Sequence, residues 1–123
     1  MISNIEITGI GGYKISDDTK DYITRKIGKL SRFMPISRRR SARAEVKIEK
    51  VDLNGNKFEV EVIIILTDKK ISAKEMSPSI LASVDIVEQK IAIQLKRYKS
   101  ESIIHIGHRK LLSKFKRSYD REQ

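Results

Sequence analysis

Residues 58–66 read FEVEVIIIL, a segment that alternates apolar and acidic residues and then becomes wholly apolar. Successive side chains of a β-strand point to opposite faces, so this segment predicts one long strand. The glutamates at positions 59 and 61 would face away from the core. The other face would carry five apolar side chains: Phe58, Val60, Val62, Ile64 and Leu66.

Two shorter strands are predicted on either side of this segment. Residues 44–49 read AEVKIE, and their strict alternation is typical of a half-buried strand. Asn54-Gly55 follows and is a strong hairpin-turn signal. On the other side, a turn near Asp68 leads to a short strand over residues 70–74. Because the connections are short, these three strands should form an antiparallel meander.

A first helix is predicted upstream of the meander. Ser16 is a suitable N-cap, and Asp17 and Asp18 follow in the first turn, where the helix dipole favours negative charge. The helix should run to about Met34, because Pro35 stops it. Apolar residues at helical spacing define one buried stripe: Ile23, Ile27, Leu30 and Met34.

A second helix is predicted downstream of the meander. Ser77-Pro78 places a cap residue before a proline at the first helical position, which is a common helix start. This helix should run to about Lys99, and Ile86 and Ile93 beside its stripe predict a wide apolar face. The buried stripe itself consists of Ile80, Val84, Val87, Ile91, Leu95 and Tyr98.

The chain opens with a short strand over residues 5–9, and a glycine-rich turn follows it. The glycines lack the spacing of a P-loop, so a plain turn is favoured over a phosphate-binding loop. The element order is therefore β-α-β-β-β-α. It predicts an α+β two-layer sandwich, in which a four-stranded sheet packs one face against two helices. Residues 1–100 would form this domain, and residues 101–123 a basic, flexible C-terminal tail.

The composition favours a polyanionic partner. The 123 residues include 26 Lys and Arg against 16 Asp and Glu, a net charge of +10, and a polyanion relieves the self-repulsion of such a chain. The absence of Cys excludes a disulfide framework and a thiolate metal site. The first residues lack a signal-peptide pattern, and no apolar stretch approaches the roughly 20 residues of a membrane span. We therefore expect a cytoplasmic protein that does not bind membranes.

The positive charge is concentrated in and after the first helix. No acidic residue occurs between Asp21 and Glu45, and Arg25, Lys29 and Arg32 follow helical spacing opposite the buried stripe. The C-terminal half of the second helix is also basic, whereas the solvent face of the sheet is mixed to acidic. This segregation predicts that the helices face nucleic-acid phosphates. Aromatic residues are few, so recognition of shape and backbone is favoured over base readout.

No group of residues indicates catalysis. A catalytic base needs an orienting partner, and the only histidines, His105 and His108, lie in the expected tail. Their spacing suits a metal on a helix, but no third ligand accompanies them. Glu59 and Glu61 are better interpreted as a solvated strand face than as a catalytic carboxylate pair. We predict a protein without enzymatic activity, and without a metal, a cofactor or a small-molecule substrate.

Several segments resemble the ribosome hibernation-promoting factors, a family that includes the ribosome-associated inhibitor proteins and proteins once labelled sigma-54 modulation proteins. In the first helix, ISDDTKDYI at 15–23 and KIGKLSRF at 26–33 carry the resemblance. In the second helix, LASVD at 81–85, Lys90 and QLKRYK at 94–99 carry it, and the opening Ile7-Thr8-Gly9 also fits. The resemblance covers residues 2–99.

The resemblance implies a translation inhibitor with the same β-α-β-β-β-α fold. It would bind rRNA of the small ribosomal subunit in the channel of messenger and transfer RNA, and block translation by occupancy during stress or stationary phase. Asp85 matches a recurrent acidic position, for which we predict a structural role. The family binds through basic residues of both helices. A basic linker follows the first helix, and we call its residues 38–40 the arginine loop. With this loop included, the predicted rRNA-binding residues are Arg25, Lys26, Lys29, Arg32, Arg38, Arg39, Arg40, Lys90, Lys96, Arg97 and Lys99.

The chain also departs from the family pattern. Leu81 stands where tyrosine is frequent, and the loop at residues 38–40 is unusually basic. The C-terminal dimerisation domain of the long members has no counterpart, so the resemblance implies a short form or an N-terminal domain that is monomeric when not bound to ribosomes. Two other functions fit the charge and the layout. One is a double-stranded-RNA-binding module that is not specific to ribosomes, and the other is an interaction scaffold that pairs through its sheet.

Overall fold

The computed structural model describes residues 1–51 and 57–122, with side chains described as far as Glu101. The predicted Asn54-Gly55 turn lies outside the described residues. Two short 3-10 segments occupy Ile10–Gly12 and Lys29–Phe33. The other described elements are, in chain order, β1 (Asn4–Gly9), α1 (Asp17–Gly28), α2 (Ile36–Arg39), β2 (Arg43–Lys50), β3 (Phe58–Ile65), β4 (Lys70–Ser77) and α3 (Ile80–Glu122).

The sheet has the strand order β1-β2-β3-β4. β1 pairs with β2 in parallel, with Asn4 opposite Arg43 and Gly9 opposite Ile48. β2 pairs with β3, and β3 with β4, in antiparallel register, which confirms the predicted meander. β1 and β4 consequently point in the same direction. Because α1 follows β1 and α3 follows β4, and each helix returns across the sheet, the two long helices also run in one direction.

The core lies between the sheet and the long helices, on the faces that the sequence predicted. Val60, Val62 and Ile64 of β3 are fully buried, whereas Glu59 and Glu61 lie on the opposite face. The predicted stripe of the first helix is exposed by no more than 1% at any of its four positions. All residues of the predicted α3 stripe are buried apart from Ile80, which packs partly buried against the core. The α+β two-layer sandwich is therefore confirmed.

The first helix begins as predicted but changes its winding before its end. The Ser16 hydroxyl caps it by accepting a hydrogen bond from the Thr19 backbone N–H. The α-helix stops at Gly28, and the next five residues form a 3-10 segment where the sequence predicted α-helix to Met34. A 3-10 helix has about three residues per turn, compared with 3.6 in an α-helix. The side chains after Gly28 therefore point in other directions than they would if the α-helix continued.

The start of α3 lies two residues later than predicted. β4 extends to Ser77 and does not end at residue 74, so Pro78 precedes the helix and does not open it. Ser79 is the capping residue, because its hydroxyl accepts a hydrogen bond of 3.3 Å from the Ala82 backbone N–H. The Ser77 hydroxyl in turn accepts from the Ser79 N–H and donates to the Ser79 carbonyl. Both serines thus fix the turn between strand and helix.

The predicted end of the second helix at about Lys99 is wrong, because α3 continues to Glu122. Residues 100–122 contain no proline, and the helix passes Gly107, an interior residue whose cost is only about 1 kcal/mol relative to alanine. The backbone after residue 100 therefore extends the last helix and is not an irregular tail. A domain boundary at residue 100 stays a prediction.

The predicted wide apolar face of α3 is also wrong. Ile86 and Ile93 are exposed by 38% and 58%, so they do not contribute to the core. The sheet covers only the narrower stripe that ends at Tyr98, because α1 packs beside α3 and leaves its outer surface uncovered.

Candidate nucleic-acid interface

Contacts between α1 and α3 fix how the two helices lie side by side. The Tyr22 hydroxyl donates a hydrogen bond to Asp85, and Lys26 lies near both Asp85 and Glu88. Further along, the Lys96 ammonium lies 4.7 Å from the centre of the Phe33 ring. Residue numbers therefore increase together on both helices, as expected for two parallel neighbours.

The parallel arrangement brings the basic C-terminal end of α1, with the 3-10 segment that follows it, beside the basic middle part of α3. We call the residues of this surface the helical basic face. Four of them are exposed and Lys99 is half-buried. Among the described residues, none of the five forms an ion pair with a carboxylate. The helical basic face consists of Arg25, Lys29, Arg32, Lys96 and Lys99.

Cations at this end of the two helices also complement the helix dipoles, since the C-terminal end of a helix carries partial negative charge. That effect acts within the last turn, and α3 does not end here. The dipole therefore accounts for the cations at the end of the first helix but not for Lys96 or Lys99. A shallow cleft of about 100 Å³ opens in this surface between Tyr22, Arg25, Lys26 and Lys29.

Lys26, which we predicted to bind RNA, lies between the two helices. Its ammonium is 3.5 Å from Asp85 and 3.6 Å from Glu88, and these carboxylates raise its pKa. The Tyr22 hydroxyl donates a hydrogen bond of 2.5 Å to the same Asp85. These contacts give Asp85 the structural role that we predicted: it connects α3 to two residues of α1. The charge of Lys26 is largely compensated within the protein.

The hydrogen bond to Asp85, followed by burial, raises the pKa of Tyr22 above its usual value. The proton therefore binds more tightly in the folded than in the unfolded chain. The associated stability is fully present below the ordinary tyrosine pKa of about 10 and is lost as the pH rises through the higher folded value.

We expect the phenol of Tyr22 to ionise only above about pH 10 in the folded protein. Subtracting the ultraviolet titration of Tyr22→Phe from that of the wild type isolates the curve of this residue. Asp85→Asn should move the midpoint back towards the ordinary value, because it removes the carboxylate that accepts the hydrogen bond. A wild-type midpoint at or below pH 10 would contradict the contact between Tyr22 and Asp85.

Lys90 and Arg97 lie on the other side of α3. The Lys90 ammonium forms an ion pair of 2.7 Å with Glu75 of β4, and the neighbouring Gln94 donates a hydrogen bond to the Ser72 carbonyl. Arg97 is seven residues from Lys90 and so shares its face of the helix. The structure thus separates these two predicted residues from Lys96 and Lys99, which lie towards α1.

The arginine loop contains the short helix α2, and two of its arginines contact the domain. Arg38 lies 3.6 Å from Asp68, whose two carboxylate oxygens also share one hydrogen bond donated by the Tyr98 hydroxyl, at 2.7 and 3.0 Å. The bond from Tyr98 is the main reason why the pKa of Asp68 is lowered. Arg39 donates to the carbonyls of Met34 and Arg32. Arg40 is exposed and completes the loop.

The solvent face of the sheet differs from the helical side. Glu61 lies between Lys47 and Lys74 in a cross-strand row of alternating charge. Glu49 and Glu59 lie directly opposite each other in the next row, where like charges repel. This face is mixed to acidic, as predicted, and the electrostatic asymmetry of the molecule runs from sheet to helices.

Within the described residues, no three His, Asp or Glu side chains lie close enough together to hold a metal ion. His105 and His108 lie outside the residues whose side chains are described. Among the described helices, none is both long and apolar enough to cross a membrane.

The fold and the helical basic face define a class of protein: a small α+β domain in which two parallel helices share a cationic surface. The chain belongs to the family described as sigma 54 modulation protein / S30EA ribosomal protein, whose model matches residues 5–102. A curated relative, the ribosome hibernation promotion factor of Staphylococcus aureus (strain COL), is 32% identical over 89 residues. The match covers 70% of this chain but 43% of that relative, so the chain spans less than half of its length.

Two solved structures have a similar fold. The N-terminal domain of Protein Y from Thermus thermophilus superposes with a TM-score of 0.66 at 23% identity, over 77% of this chain and 98% of that one. A ribosomal subunit interface protein from Coxiella burnetii gives a TM-score of 0.63 at 26% identity, over 79% and 98%. Each match extends over nearly the whole of the other chain.

The sequence predicted the basic residues but not the side chains that contact them. Phe33, Asp68 and Glu75 were not predicted to take part, because each acts on a cation that is distant in the sequence. The one signal that periodicity offered was the position of Phe33 directly before Met34 of the buried stripe.

Proposed function

We propose that this protein is a ribosome hibernation factor that binds rRNA of the small ribosomal subunit in the channel of messenger and transfer RNA. Occupancy of the channel would block translation. The observation that carries the proposal is that the basic residues of α1, of the 3-10 segment after it and of the middle of α3 lie on one side of the molecule. Family membership and the name of the S. aureus relative support the ribosome as the partner.

The charge distribution favours a folded RNA cavity over an extended single strand. The helical basic face spans two helices, and the arginine loop touches it where Arg39 donates a hydrogen bond to the Arg32 carbonyl, so the cations cover a broad surface. The glutamates of the sheet face would be repelled by phosphates, which orients the protein with its helices towards RNA. Such a surface recognises backbone and shape, and it contributes a strongly salt-dependent binding energy.

The predicted RNA-binding residues contribute unequally in this proposal. Residues of the helical basic face would contact phosphates directly. Lys26, Lys90 and Arg38 already have carboxylate partners, so a phosphate gains less from each of them. Arg97 and Lys90 would serve contacts on the β4 side of α3. In this proposal the protein acts in the cytoplasm, is monomeric until it meets a ribosome, and serves in stress or stationary phase without catalysing a reaction.

Sedimentation with purified ribosomes in sucrose gradients tests the proposal. With about five phosphates neutralised, affinity should fall roughly a hundredfold between about 50 and 200 mM salt. The protein should travel with the small subunit and inhibit translation in vitro at the lower salt concentration. Failure to sediment with small subunits at low salt would contradict the proposal.

The same experiment separates the two other functions that fit the sequence. A plain RNA duplex added in excess should not displace the protein from ribosomes. Displacement by the duplex would indicate a double-stranded-RNA-binding module without ribosome specificity. A concentration-dependent dimer with no affinity for RNA would indicate a scaffold that pairs through its sheet.

A further inference from the structure

One aromatic ring lies between cations of two different elements. Phe33 is the last residue of the 3-10 segment, and it packs partly buried against the core. The Arg32 guanidinium carbon lies 4.7 Å from its ring centre, and so does the Lys96 ammonium. Both distances are within the range of an attractive cation–π contact, which extends to about 6 Å.

The shared ring brings two like charges close together. Two groups that each lie 4.7 Å from one point are at most twice that distance apart, which is about one Debye length at physiological salt. The cations therefore repel each other. No carboxylate among the described residues pairs with either of them. The negative face of the ring offsets part of the repulsion, and an anion bound by both would relieve the rest.

The 3-10 winding contributes to this geometry. Because the segment after Gly28 is wound more tightly than an α-helix, Phe33 and Arg32 project where α3 can reach them. Phe33 is fixed by its core contacts, whereas the side chains of Arg32 and Lys96 are exposed and long. A fixed ring restricts both flexible side chains, and restricting them in advance lowers the entropy lost on binding.

We propose that Phe33 is a positioning residue of the RNA interface, whose ring holds Arg32 and Lys96 together so that both act on the same stretch of RNA backbone. The inference rests on the proposed function, since it requires RNA as the ligand. Phe33 itself contacts no phosphate in this scheme. Its ring is in contact with the two cations, so it positions them and does not stack on RNA bases.

The central test replaces the ring and keeps an apolar side chain. Phe33→Leu should weaken binding to ribosomes about five- to thirtyfold, because two long side chains that the ring no longer restricts would have to be ordered on binding. Phe33→Tyr should bind like the wild type, because it keeps the ring. Phe58→Leu is the matched control: the Phe58 ring packs against Tyr13 at 5.6 Å, not between cations, and its replacement should leave affinity unchanged.

A second measurement needs no ribosome and separates positioning from folding. In the wild type, the ring current of Phe33 should shift the proton resonances of the Lys96 side chain. These shifts should disappear in Phe33→Leu while the amide spectrum of the core is retained. Unperturbed Lys96 resonances in the wild type would overturn the inference, even if Phe33→Leu failed to fold.

The double variant Arg32→Gln, Lys96→Gln distinguishes failure of this inference from failure of the proposed function. Adding Phe33→Leu to it should cause no further loss of binding, because no cations remain at the ring. If the double variant binds ribosomes as well as the wild type, Arg32 and Lys96 do not contact RNA and the inference is wrong, whereas the proposed function fails only if the wild type itself does not sediment with small subunits. If the double variant loses affinity while Phe33→Leu retains it, the proposed function stands and the role of Phe33 is wrong.

Discussion

A variant in which Lys29 and Lys96 are both replaced by glutamate is expected to bind small ribosomal subunits about a hundredfold more weakly than the wild type, or weaker still. The two lysines are exposed and lie on different helices of the helical basic face. A hydrogen bond to a charged group contributes about 1.5–3 kcal/mol, so losing two removes about 3 kcal/mol or more. Charge reversal adds repulsion between each glutamate and the RNA.

The salt dependence of this variant gives a second, independent readout. Each lost phosphate contact should lower the slope of log affinity against log salt by about one, so the double variant should lose about two. In-vitro translation should no longer be inhibited at concentrations that suffice for the wild type. A double variant that inhibits as well as the wild type would exclude a mechanism that uses the helical basic face.

The matched control is a pair of exposed lysines with the same change in net charge. Lys14 and Lys57 lie near the N-terminal ends of the long helices, where the adjacent Tyr13 and Phe58 contact each other. Replacing both by glutamate should leave ribosome binding within a fewfold of the wild type. Equal losses in the two double variants would mean that net charge, and not the helical basic face, determines binding.

The largest effect on stability is expected for Ile64→Ala in the central strand β3. Ile64 is fully buried and pairs with Ala44 on one side and Ile71 on the other. Truncating a buried isoleucine removes its transfer energy and leaves a cavity, which together cost about 2–5 kcal/mol. Such a loss is a large part of the stability of a small domain, and urea unfolding measures it.

The neighbouring residue provides the control for this prediction. Ile63 carries the same side chain on the same strand, but it is half-buried on the solvent face of the sheet. Ile63→Ala should lower the free energy of unfolding by less than half as much as Ile64→Ala, because truncation at a solvent-facing position leaves almost no cavity. Equal costs would contradict the assignment of the two faces, which the alternation of residues 58–66 predicted.

Local periodicity explains why the strands and buried stripes could be predicted. The pattern of β3 identified Val60, Val62 and Ile64 as core residues, and all three are fully buried. Element ends were predicted less well, because they depend on competing signals. At α3 two serines compete to cap the helix, and the second of them, Ser79, does so. At its far end nothing in residues 100–122 stops the helix.

The sequence by itself determined which faces are apolar and that cations concentrate in two segments, residues 25–43 and residues 90–99. These properties depend on residues a few positions apart, so spacing reveals them. Only the tertiary structure decided which of these cations lie together. Parallel pairing of β1 with β2 makes the two long helices run in one direction, which brings Arg32 and Lys96 to one ring and pairs Lys26 with acids of α3. The contacts between the two helices join residues more than fifty positions apart. They depend on how the helices pack on the sheet, which local periodicity does not reveal.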